Sequence, residues 1–329
     1  MFYSYVRIIF TLSLMVFSSA IADPGKKPVV IGISQITSHP SLDKVHAGII
    51  EALNEAGYIH GSTAKIISEN ANGRLPVAVQ IAQKLASENP DVAVGITTPC
   101  AQTLLTAFSQ VQTPIVFATI TDPIAAKLVP NLSHPGGRVT GTQNVFPLPG
   151  LLACLDNLFP QVKRVGVIVN LSEDNSATMV EKLKTALTNK GISLSVAPIA
   201  NATEAKAAAE SLTYKIDLLL LLQDNTVATT LPAVTAVMNQ NQILTVATFV
   251  EAIGQGALMA LAVDEKRIGI ETGKIIVQIL KGTPAGDIAV VAPNVLDVAL
   301  DGQLVKTFQL EKNFVLKAKK LYPQLIIQK

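Results

Sequence analysis

The chain has 329 residues, of which 49% are hydrophobic and only 15% charged, and Trp is absent. Since an average soluble domain has about 25% charged residues, this composition predicts many buried strands and helices and excludes a disordered, a collagen-like or a small disulfide-rich chain. With 26 basic and 24 acidic residues, the net charge of +2 gives no electrostatic basis for binding nucleic acid.

Residues 1–22 have the pattern of a cleaved export signal. Arg7 supplies a positive start, residues 8–17 form a short apolar stretch, and residues 20–22 read Ala-Ile-Ala. This matches the small-residue cleavage rule, whereas a membrane span, the alternative, needs about 20 apolar residues. The sequence therefore predicts export with cleavage after Ala22. The residue directly after that site is Asp23 and not a Cys, which argues against a lipid anchor.

From Pro28 onward, short β-branched runs alternate with amphipathic segments. The predicted strands are 29–34, 65–68, 92–96, 115–118, 138–142, 165–170, 193–197, 218–222, 244–247 and 258–262. The predicted helices are 42–56, 76–88, 100–109, 148–159, 174–189, 203–212, 225–239 and 265–281. This alternation is typical of βαβ units in a doubly wound parallel α/β fold.

Ten strands are many for one open, twisted sheet, so two sheets are predicted. A stretch rich in Gly and Pro, residues 131–150, interrupts the pattern, which then restarts with a helix and a strand. The two cysteines, Cys100 and Cys154, fall in different predicted helices. The sequence leaves two interpretations of them open, a disulfide in an oxidising compartment or two small buried core residues.

Polar side chains collect where the predicted strands end. In open α/β sheets, ligands bind beyond the carboxyl ends of the strands, where helix N-termini point inward. Any one of these residues is also an ordinary helix cap. Together they predict two polar clusters that face each other across a cleft. The candidate ligand-binding residues are Gln35, Thr37, Thr97, Thr98, Thr119, Thr121, Asp122, Asn170, Asn175, Ser176, Asp224, Asn225, Thr248, Phe249 and Asp264.

Common catalytic and cofactor motifs are missing from the sequence. It contains no phosphate-binding loop, dinucleotide fingerprint, His-Glu-x-x-His zinc motif or G-x-S-x-G elbow. The four histidines share no metal-ligand spacing with a Cys or a carboxylate. We therefore predict no enzyme activity, no metal and no cofactor.

Seven segments, in this order, resemble the substrate-binding proteins of bacterial ABC importers, in particular the type I family that includes tryptophan- and tyrosine-binding components. The segments are IGISQITSHPSLD (31–43), ITTPCAQ (96–102), TPIVFATITDP (113–123), HPGGRVTGT (134–142), VGVIVNLSEDNS (165–176), QDNTV (223–227) and GALMALAVDEKRIGIETG (256–273). They span nearly the whole predicted mature chain.

The resemblance implies a fold, a location and partners. It implies two doubly wound lobes joined by three crossover strands, with the ligand between them. Lobe one would comprise 23–142 plus 265–283, and lobe two 143–264 plus 284–329. The chain would be a monomer in the periplasm that delivers its ligand to an ABC permease. The C-terminal segment departs from the family pattern near Asp301 and in its basic end.

A zwitterionic amino acid, aromatic ones among the candidates, fits the polar residues. Its carboxylate would bind hydroxyl and N–H groups at helix N-termini, from Thr97, Thr98 and Thr121. Its ammonium group would pair with a carboxylate, for which Asp224 is the first choice because it ends a very apolar strand. The side chain would contact Phe249, Phe146 or Phe117, although a plain core position is the first interpretation of each.

Two other functions remain open at this point. A periplasmic ligand sensor for a membrane receptor would share the same fold and export signal. An exported α/β enzyme is disfavoured by the missing catalytic motifs, although fold alone does not decide function.

Overall fold

A computed structural model of the chain describes residues 27–293, 295–310 and 313–328. The predicted export signal, residues 1–22, lies outside these ranges. No helix within them is both long enough and apolar enough to cross a membrane.

The first part of the chain forms a five-stranded parallel sheet. Its strands are β1 (Val29–Gln35), β2 (Ala64–Asn70), β3 (Val92–Ile96), β4 (Ile115–Ile120) and β5 (Val139–Gln143), in the spatial order β2-β1-β3-β4-β5. Strands β1, β3 and β4 are mostly buried apolar residues, as expected for a sheet covered on both faces.

The second part forms a seven-stranded sheet in the order β12-β11-β10-β9-β8-β6-β7. Its strands are β6 (Arg164–Val169), β7 (Ser193–Pro198), β8 (Leu218–Leu221), β9 (Leu244–Ala247), β10 (Met259–Val263), β11 (Leu296–Asp301) and β12 (Ile326–Gln328). All neighbouring strands are parallel except the antiparallel pair β10 and β11.

Eleven α-helices of the described residues surround the two sheets. They are α1 (Pro40–Glu55), α2 (Leu75–Ser87), α3 (Thr98–Ala107), α4 (Leu148–Leu158), α5 (Asp174–Thr188), α6 (Ala205–Leu212), α7 (Asn225–Ala228), α8 (Leu231–Gln240), α9 (Glu265–Leu280), α10 (Gly302–Thr307) and α11 (Phe314–Leu321).

The chain passes between the two sheets three times. It leaves the first sheet after β5, returns after β10 and leaves again after Val291, before β11. Helix α9 belongs to the first core, because Ile275 and Ile276 pack there. We call the first sheet with its helices, α9 included, lobe one, and the second sheet with its helices lobe two. The predicted fold class, two α/β lobes joined by three crossings, is confirmed.

The predicted helix 225–239 is wrong as one element, because the structure divides it into α7 and α8. Pro232 explains the division. It lies in the first turn of α8, and in a continuous helix its ring would clash with the carbonyl group of Ala228, to which it has no N–H to donate. The break places the start of α7, next to Asp224, at the cleft.

The C-terminal segment adds two strands and two helices that the alternation did not predict. Strand β11 enters the second sheet from the opposite direction after the excursion through lobe one, and it therefore runs antiparallel to β10. Leu296, Val298 and Leu300 pack in the core of lobe two, and Phe314 of α11 packs against Phe159. The expectation of purely parallel sheets is corrected at this edge.

Both cysteines are free and buried. Cys100 packs in the core of lobe one and Cys154 in that of lobe two. Burial raises the pKa of each thiol to about 12. Of the two interpretations left open by the sequence, the structure agrees with buried core residues.

Helices α1 and α9 approach so closely that glycine is required at their crossing. A Cβ on Gly269 would fall inside contact distance of the Val45 carbonyl oxygen, and a Cβ on Gly48 would meet the Lys266 carbonyl oxygen. This crossing holds α9, and with it Glu265, on lobe one.

We expect Gly269→Ala to lower the free energy of unfolding by about 1–3 kcal/mol, the usual cost of overpacking a tight contact. Chemical denaturation measures it. The matched control is Glu55→Ala on the exposed side of α1, which should stay within about 0.5 kcal/mol of wild type. Equal stability of the two variants would contradict the close crossing.

Candidate ligand-binding cleft between the lobes

Polar residues of both lobes enclose a small cavity at the carboxyl ends of the parallel strands. This cavity, the inner chamber, has a volume of about 40 Å³ and is partly open to solvent. Its walls are His39, Ser41, Leu42, Thr97, Thr98, Thr119, Thr121, Asn175, Gln223, Asp224, Asn225, Ala228, Phe249 and Glu265. Eleven of these fourteen side chains are polar, so the inner chamber suits a small polar ligand.

A second cavity, the outer chamber, lies beside the first between α2 and α3 of lobe one and the starts of α5 and α7 of lobe two. It has a volume of about 320 Å³ and is partly open to solvent, and Asn225 lines both chambers. The two chambers therefore adjoin within one cleft.

The structure brings nine of the fifteen candidate residues to these chambers. Eight line the inner chamber: Thr97, Thr98, Thr119, Thr121, Asn175, Asp224, Asn225 and Phe249. Asn170 lines the outer chamber. The topology explains the convergence, since each of them lies at or just beyond the carboxyl end of a strand that faces the cleft.

Three of the remaining candidates make contacts within their own lobes. The Gln35 amide donates to the Thr37 carbonyl oxygen at 2.7 Å and to Asp43 Oδ1 at 2.9 Å. Thr248 Oγ1 donates to the Leu221 carbonyl oxygen at 3.3 Å. None of the three lines either chamber.

Ser176, Asp264 and Asp122 also lie outside both chamber walls. Ser176 Oγ donates to Asp224 Oδ2 at 2.7 Å and so supports a wall residue. Asp264 caps α9 by accepting the N–H groups of Lys266 and Arg267. Asp122 pairs with Lys182 at 2.8 Å, across the cleft.

Sequence reasoning missed Glu265, the residue after Asp264. Its carboxylate is buried in the inner chamber, where Thr119 Oγ1 donates to Oε2 at 3.0 Å and Asn144 Nδ2 to Oε1 at 2.8 Å. Gln223 Nε2 of lobe two approaches Oε1 at 3.5 Å. The two successive acids Asp264 and Glu265, at the junction between a strand and a helix, could have indicated this site residue. When the first acid caps the helix, the second is free to face the cleft.

Burial raises the pKa of Glu265 to about 8, and the nearby carboxylates of Glu251 and Asp264 add to the rise. Among the described residues that line the inner chamber, none is Lys or Arg. Burial also lowers the pKa of His39, so that this ring adds no positive charge near neutral pH. The inner chamber therefore holds an acid without a cationic partner from the chain.

Asp224, the other acid of the inner chamber, is fully engaged with its own lobe. Oδ2 accepts from the Asn170 N–H at 2.6 Å and from Ser176 Oγ, and Oδ1 accepts from the Val227 N–H at 2.8 Å. Burial raises the pKa of Asp224. Its side chain ties the loop before α5 to the start of α7.

Glu173 closes the same wall on the side of the outer chamber. It accepts from Asn225 Nδ2 at 2.6 Å and from Thr226 Oγ1 at 2.8 Å. Burial, together with the charge of Asp224, raises the pKa of Glu173 to about 7. The hydrogen bonds that Glu173 and Asp224 accept thus stabilise the lobe-two face of the cleft.

Two buried polar atoms of inner-chamber residues lack a hydrogen-bond partner in the described chain: Thr97 Oγ1 and Asn175 Oδ1. The Cys100 thiol, a weak donor, lies beside the Thr97 hydroxyl. Thr97 precedes α3, whose first N–H groups have no intrahelical acceptor. A hydroxyl at a helix N-terminus is a ready site for an anion such as a carboxylate.

Thr97 also has an unusual backbone, with φ 83° and ψ 160°. Such a conformation costs a non-glycine residue about 1–3 kcal/mol and clusters at functional sites. Thr119, near the end of the neighbouring strand β4, has φ 58°.

We expect Thr97→Gly to bind ligand at least about tenfold more weakly, because the hydroxyl is lost, while the variant is no less stable than wild type. Thermal unfolding and calorimetric titration measure the two effects. Thr97→Ser keeps the hydroxyl and should bind nearly as wild type. A glycine variant with unchanged affinity would remove Thr97 from the site.

Contacts across the cleft show that the lobes are closed. Glu251 of lobe two accepts from Ser41 Oγ at 2.7 Å and from Lys44 Nζ at 2.8 Å, both on α1 of lobe one. Gln102 Nε2 donates to Asp174 Oδ2 at 2.7 Å beside the outer chamber. These bonds join α1 and α3 of lobe one to lobe two, so they form only when the cleft shuts.

No group of three or more His, Cys, Asp or Glu side chains in the described ranges is arranged to hold a metal ion. The polar residues of the cleft offer neutral donors, unpartnered acceptors and three acids, Glu173, Asp224 and Glu265, whose hydrogen bonds come from neutral groups.

The family model for ABC transporter substrate-binding proteins matches residues 30–314, which is most of the chain. This chain belongs to the ABC transporter substrate-binding protein family. Members of the family are binding components, so the prediction that the chain is not an enzyme is confirmed.

Relatives of this substrate-binding protein bind aromatic amino acids. A tyrosine-binding protein from Clostridioides difficile (strain R20291) is 34% identical over 287 residues, 87% of this chain and 83% of the relative. The structure of an ABC domain in complex with L-Trp from Streptococcus pneumonia is 30% identical, with a TM-score of 0.84, and the match covers 91% of this chain and 100% of that one.

The ligand-free, open structure of CD0873, a substrate-binding protein with adhesive properties from Clostridium difficile, is 32% identical but has a TM-score of 0.66. The match covers 86% of this chain and 96% of that chain. The substrate-binding protein described here is thus closer in overall shape to the L-Trp complex than to the open structure, in agreement with its contacts across the cleft.

Proposed function

We propose that this substrate-binding protein is exported to the periplasm and captures an amino acid between its lobes. It then delivers the amino acid to the permease of an ABC importer. Aromatic amino acids are the first candidates for this ligand. The mature chain begins after Ala22 and acts as a monomer. Its lobes divide close to the predicted bounds, 23–142 plus 265–283 and 143–264 plus 284–329, except that the chain stays with lobe one as far as Val291.

One observation carries the proposal: the inner chamber presents complementary groups for the two charges of a zwitterion. Thr97 Oγ1 and the N-terminus of α3 are free to bind a carboxylate. Glu265, without a cationic partner of the chain in the chamber wall, is placed to bind an ammonium group. Each interaction is a charge-assisted hydrogen bond, the stronger kind.

Glu265 replaces Asp224 as the proposed partner of the ammonium group. All the hydrogen bonds that Asp224 accepts come from its own lobe, and Asp224 is fully buried. Among the predicted site residues, we retain those of the chamber walls as ligand contacts, with Thr98, Thr119, Thr121, Asn175, Asn225 and Phe249 around the zwitterion and Asn170 beside it.

The experiment is calorimetric titration of the mature chain with the twenty amino acids and with two analogues of each binder. We expect micromolar binding, about −8 kcal/mol, of at least one amino acid. For L-tyrosine, the analogues are tyramine, which lacks the carboxylate, and 3-(4-hydroxyphenyl)propionate, which lacks the amine. Both should bind at least about 100-fold more weakly. An analogue as tight as its parent would contradict zwitterion recognition, and no binding in the whole set would contradict the ligand class.

Delivery is tested separately by uptake of the labelled amino acid in cells that lack this chain. We expect uptake to fall to background and to return when the chain is supplied. Unchanged uptake with intact binding would contradict delivery and favour a ligand sensor for a membrane receptor.

A further inference from the structure

We propose that the outer chamber holds the side chain of the bound amino acid and selects a large side chain with an apolar body and no negative charge. This inference rests on the proposed function, since it assumes that the zwitterionic head occupies the inner chamber.

The position of Asn225 supports a continuous path from head to side chain. Asn225 lines both chambers, and its Nδ2 donates to Glu173 on the wall of the outer chamber. On lobe one, the start of α3 also passes from one chamber to the other. Thr98 lines the inner chamber, and the next residue, Pro99, lines the outer chamber. A ligand group leaving the inner chamber past these residues enters the outer chamber directly.

The lobe-one wall of the outer chamber carries an apolar surface beside four polar side chains, those of Gln83, Gln102, Thr103 and Thr106. Leu75 and Val79 lie one turn apart on α2 and remain 52% and 41% exposed, although they face the cleft. Pro99 and Ala107 of α3 extend the same surface. Apolar side chains left exposed inside a closed cleft gain free energy when an apolar ligand group covers them.

The lobe-two wall has the opposite character. Glu173 and Asp174 place two carboxyl groups there, and none of the sixteen described wall residues is Lys, Arg or His. The Gln102–Asp174 hydrogen bond ties this wall to α3 on closure. A ligand carboxylate would meet like charge here, whereas a phenol, indole or aliphatic side chain would not.

The test uses Val79→Trp, which fills the outer chamber, with Leu316→Trp as the matched control. Leu316 is 65% exposed on α11 and lines neither chamber. We expect Val79→Trp to bind L-tyrosine and L-tryptophan at least tenfold more weakly than wild type and the control to bind them equally. Unchanged binding by Val79→Trp, with wild type active, would overturn the inference and leave the proposed function standing.

A second measurement separates contact from a general effect on closure. In a methyl-labelled wild-type chain, an aromatic ring in the outer chamber should shift the methyl resonances of Leu75 and Val79 on addition of L-tyrosine or L-tryptophan. The methyl groups of Leu316 should not move. Saturating ligand without these shifts would overturn the inference, as would L-glutamate binding as tightly as the aromatic amino acids. If no amino acid binds the wild type, the proposed function itself fails.

Discussion

Glu265→Gln is expected to weaken amino acid binding by about 10- to 100-fold, the loss that follows when a charged partner of a hydrogen bond is replaced by a neutral one. The substitution keeps the shape of the side chain and an oxygen that can accept from Thr119 or Asn144, so the chamber should persist. Calorimetric titration with L-tyrosine or L-tryptophan measures the change.

The same substitution should abolish a proton release. With its pKa raised to about 8 by burial, the Glu265 carboxyl is mostly protonated in the empty cleft at pH 7. An ammonium ligand favours the ionised form, so binding expels a proton. The measured binding enthalpy of wild type should therefore depend on the ionisation enthalpy of the buffer, because up to one proton is released per ligand bound. In Glu265→Gln this dependence on the buffer should disappear. Glu271→Gln, on the same helix, is the matched control.

Stability of the empty protein gives an independent readout. The folded Glu265 carboxyl keeps its proton up to about pH 8, whereas the unfolded one loses it near its ordinary pKa of 4.5. Stability is therefore greatest at the acidic end of this window and falls as pH rises through it. Glu173, with its pKa raised to about 7, acts in the same direction. The free energy of unfolding of Glu265→Gln should fall less between pH 5 and 8 than that of wild type. Parallel curves would contradict the assignment.

The architecture was predictable because the alternation of buried strands and amphipathic helices is a local pattern. Strand Val92–Ile96 has no polar side chain and Leu244–Ala247 has only that of Thr245, and the ends of both strands coincide with the prediction. The C-terminal strands were not predictable in this way. β11 and β12 pair with a sheet that the chain re-enters after crossing lobe one. The local sequence pattern does not indicate with which strands they pair.

The candidate site was predictable in position but not in the role of each acid. Asp224 and Glu265 both follow apolar strands, and both reach the inner chamber. Whether a carboxylate is free there depends on donors distant in sequence. Asp224 meets Asn170 and Ser176, which lie 54 and 48 residues away. Asp264 caps its helix and Glu265 does not, although the two residues are adjacent.

Asp224→Ala is expected to lower the free energy of unfolding by at least about 3 kcal/mol and to abolish ligand binding. The carboxylate satisfies the N–H groups of Asn170 and Val227 and the hydroxyl of Ser176, all buried. Each donor left without an acceptor costs about 1–3 kcal/mol. Because these bonds position the wall that carries Asn175 and Asn225, binding is lost together with stability.

Asp224→Asn separates this supporting role from direct contact with the ammonium group. It retains one acceptor oxygen, so we expect an intermediate loss of stability and a loss of affinity in proportion to it. Asp156→Asn is the matched control, since Asp156 is 52% exposed and pairs with Lys190 at the surface of the same lobe, where such pairs contribute at most about 1 kcal/mol. If Asp224→Asn unfolds like wild type but no longer binds amino acid, Asp224 contacts the ligand itself. Loss of stability and affinity together would agree with a supporting role, in which Asp224 builds the lobe-two wall against which the ligand closes.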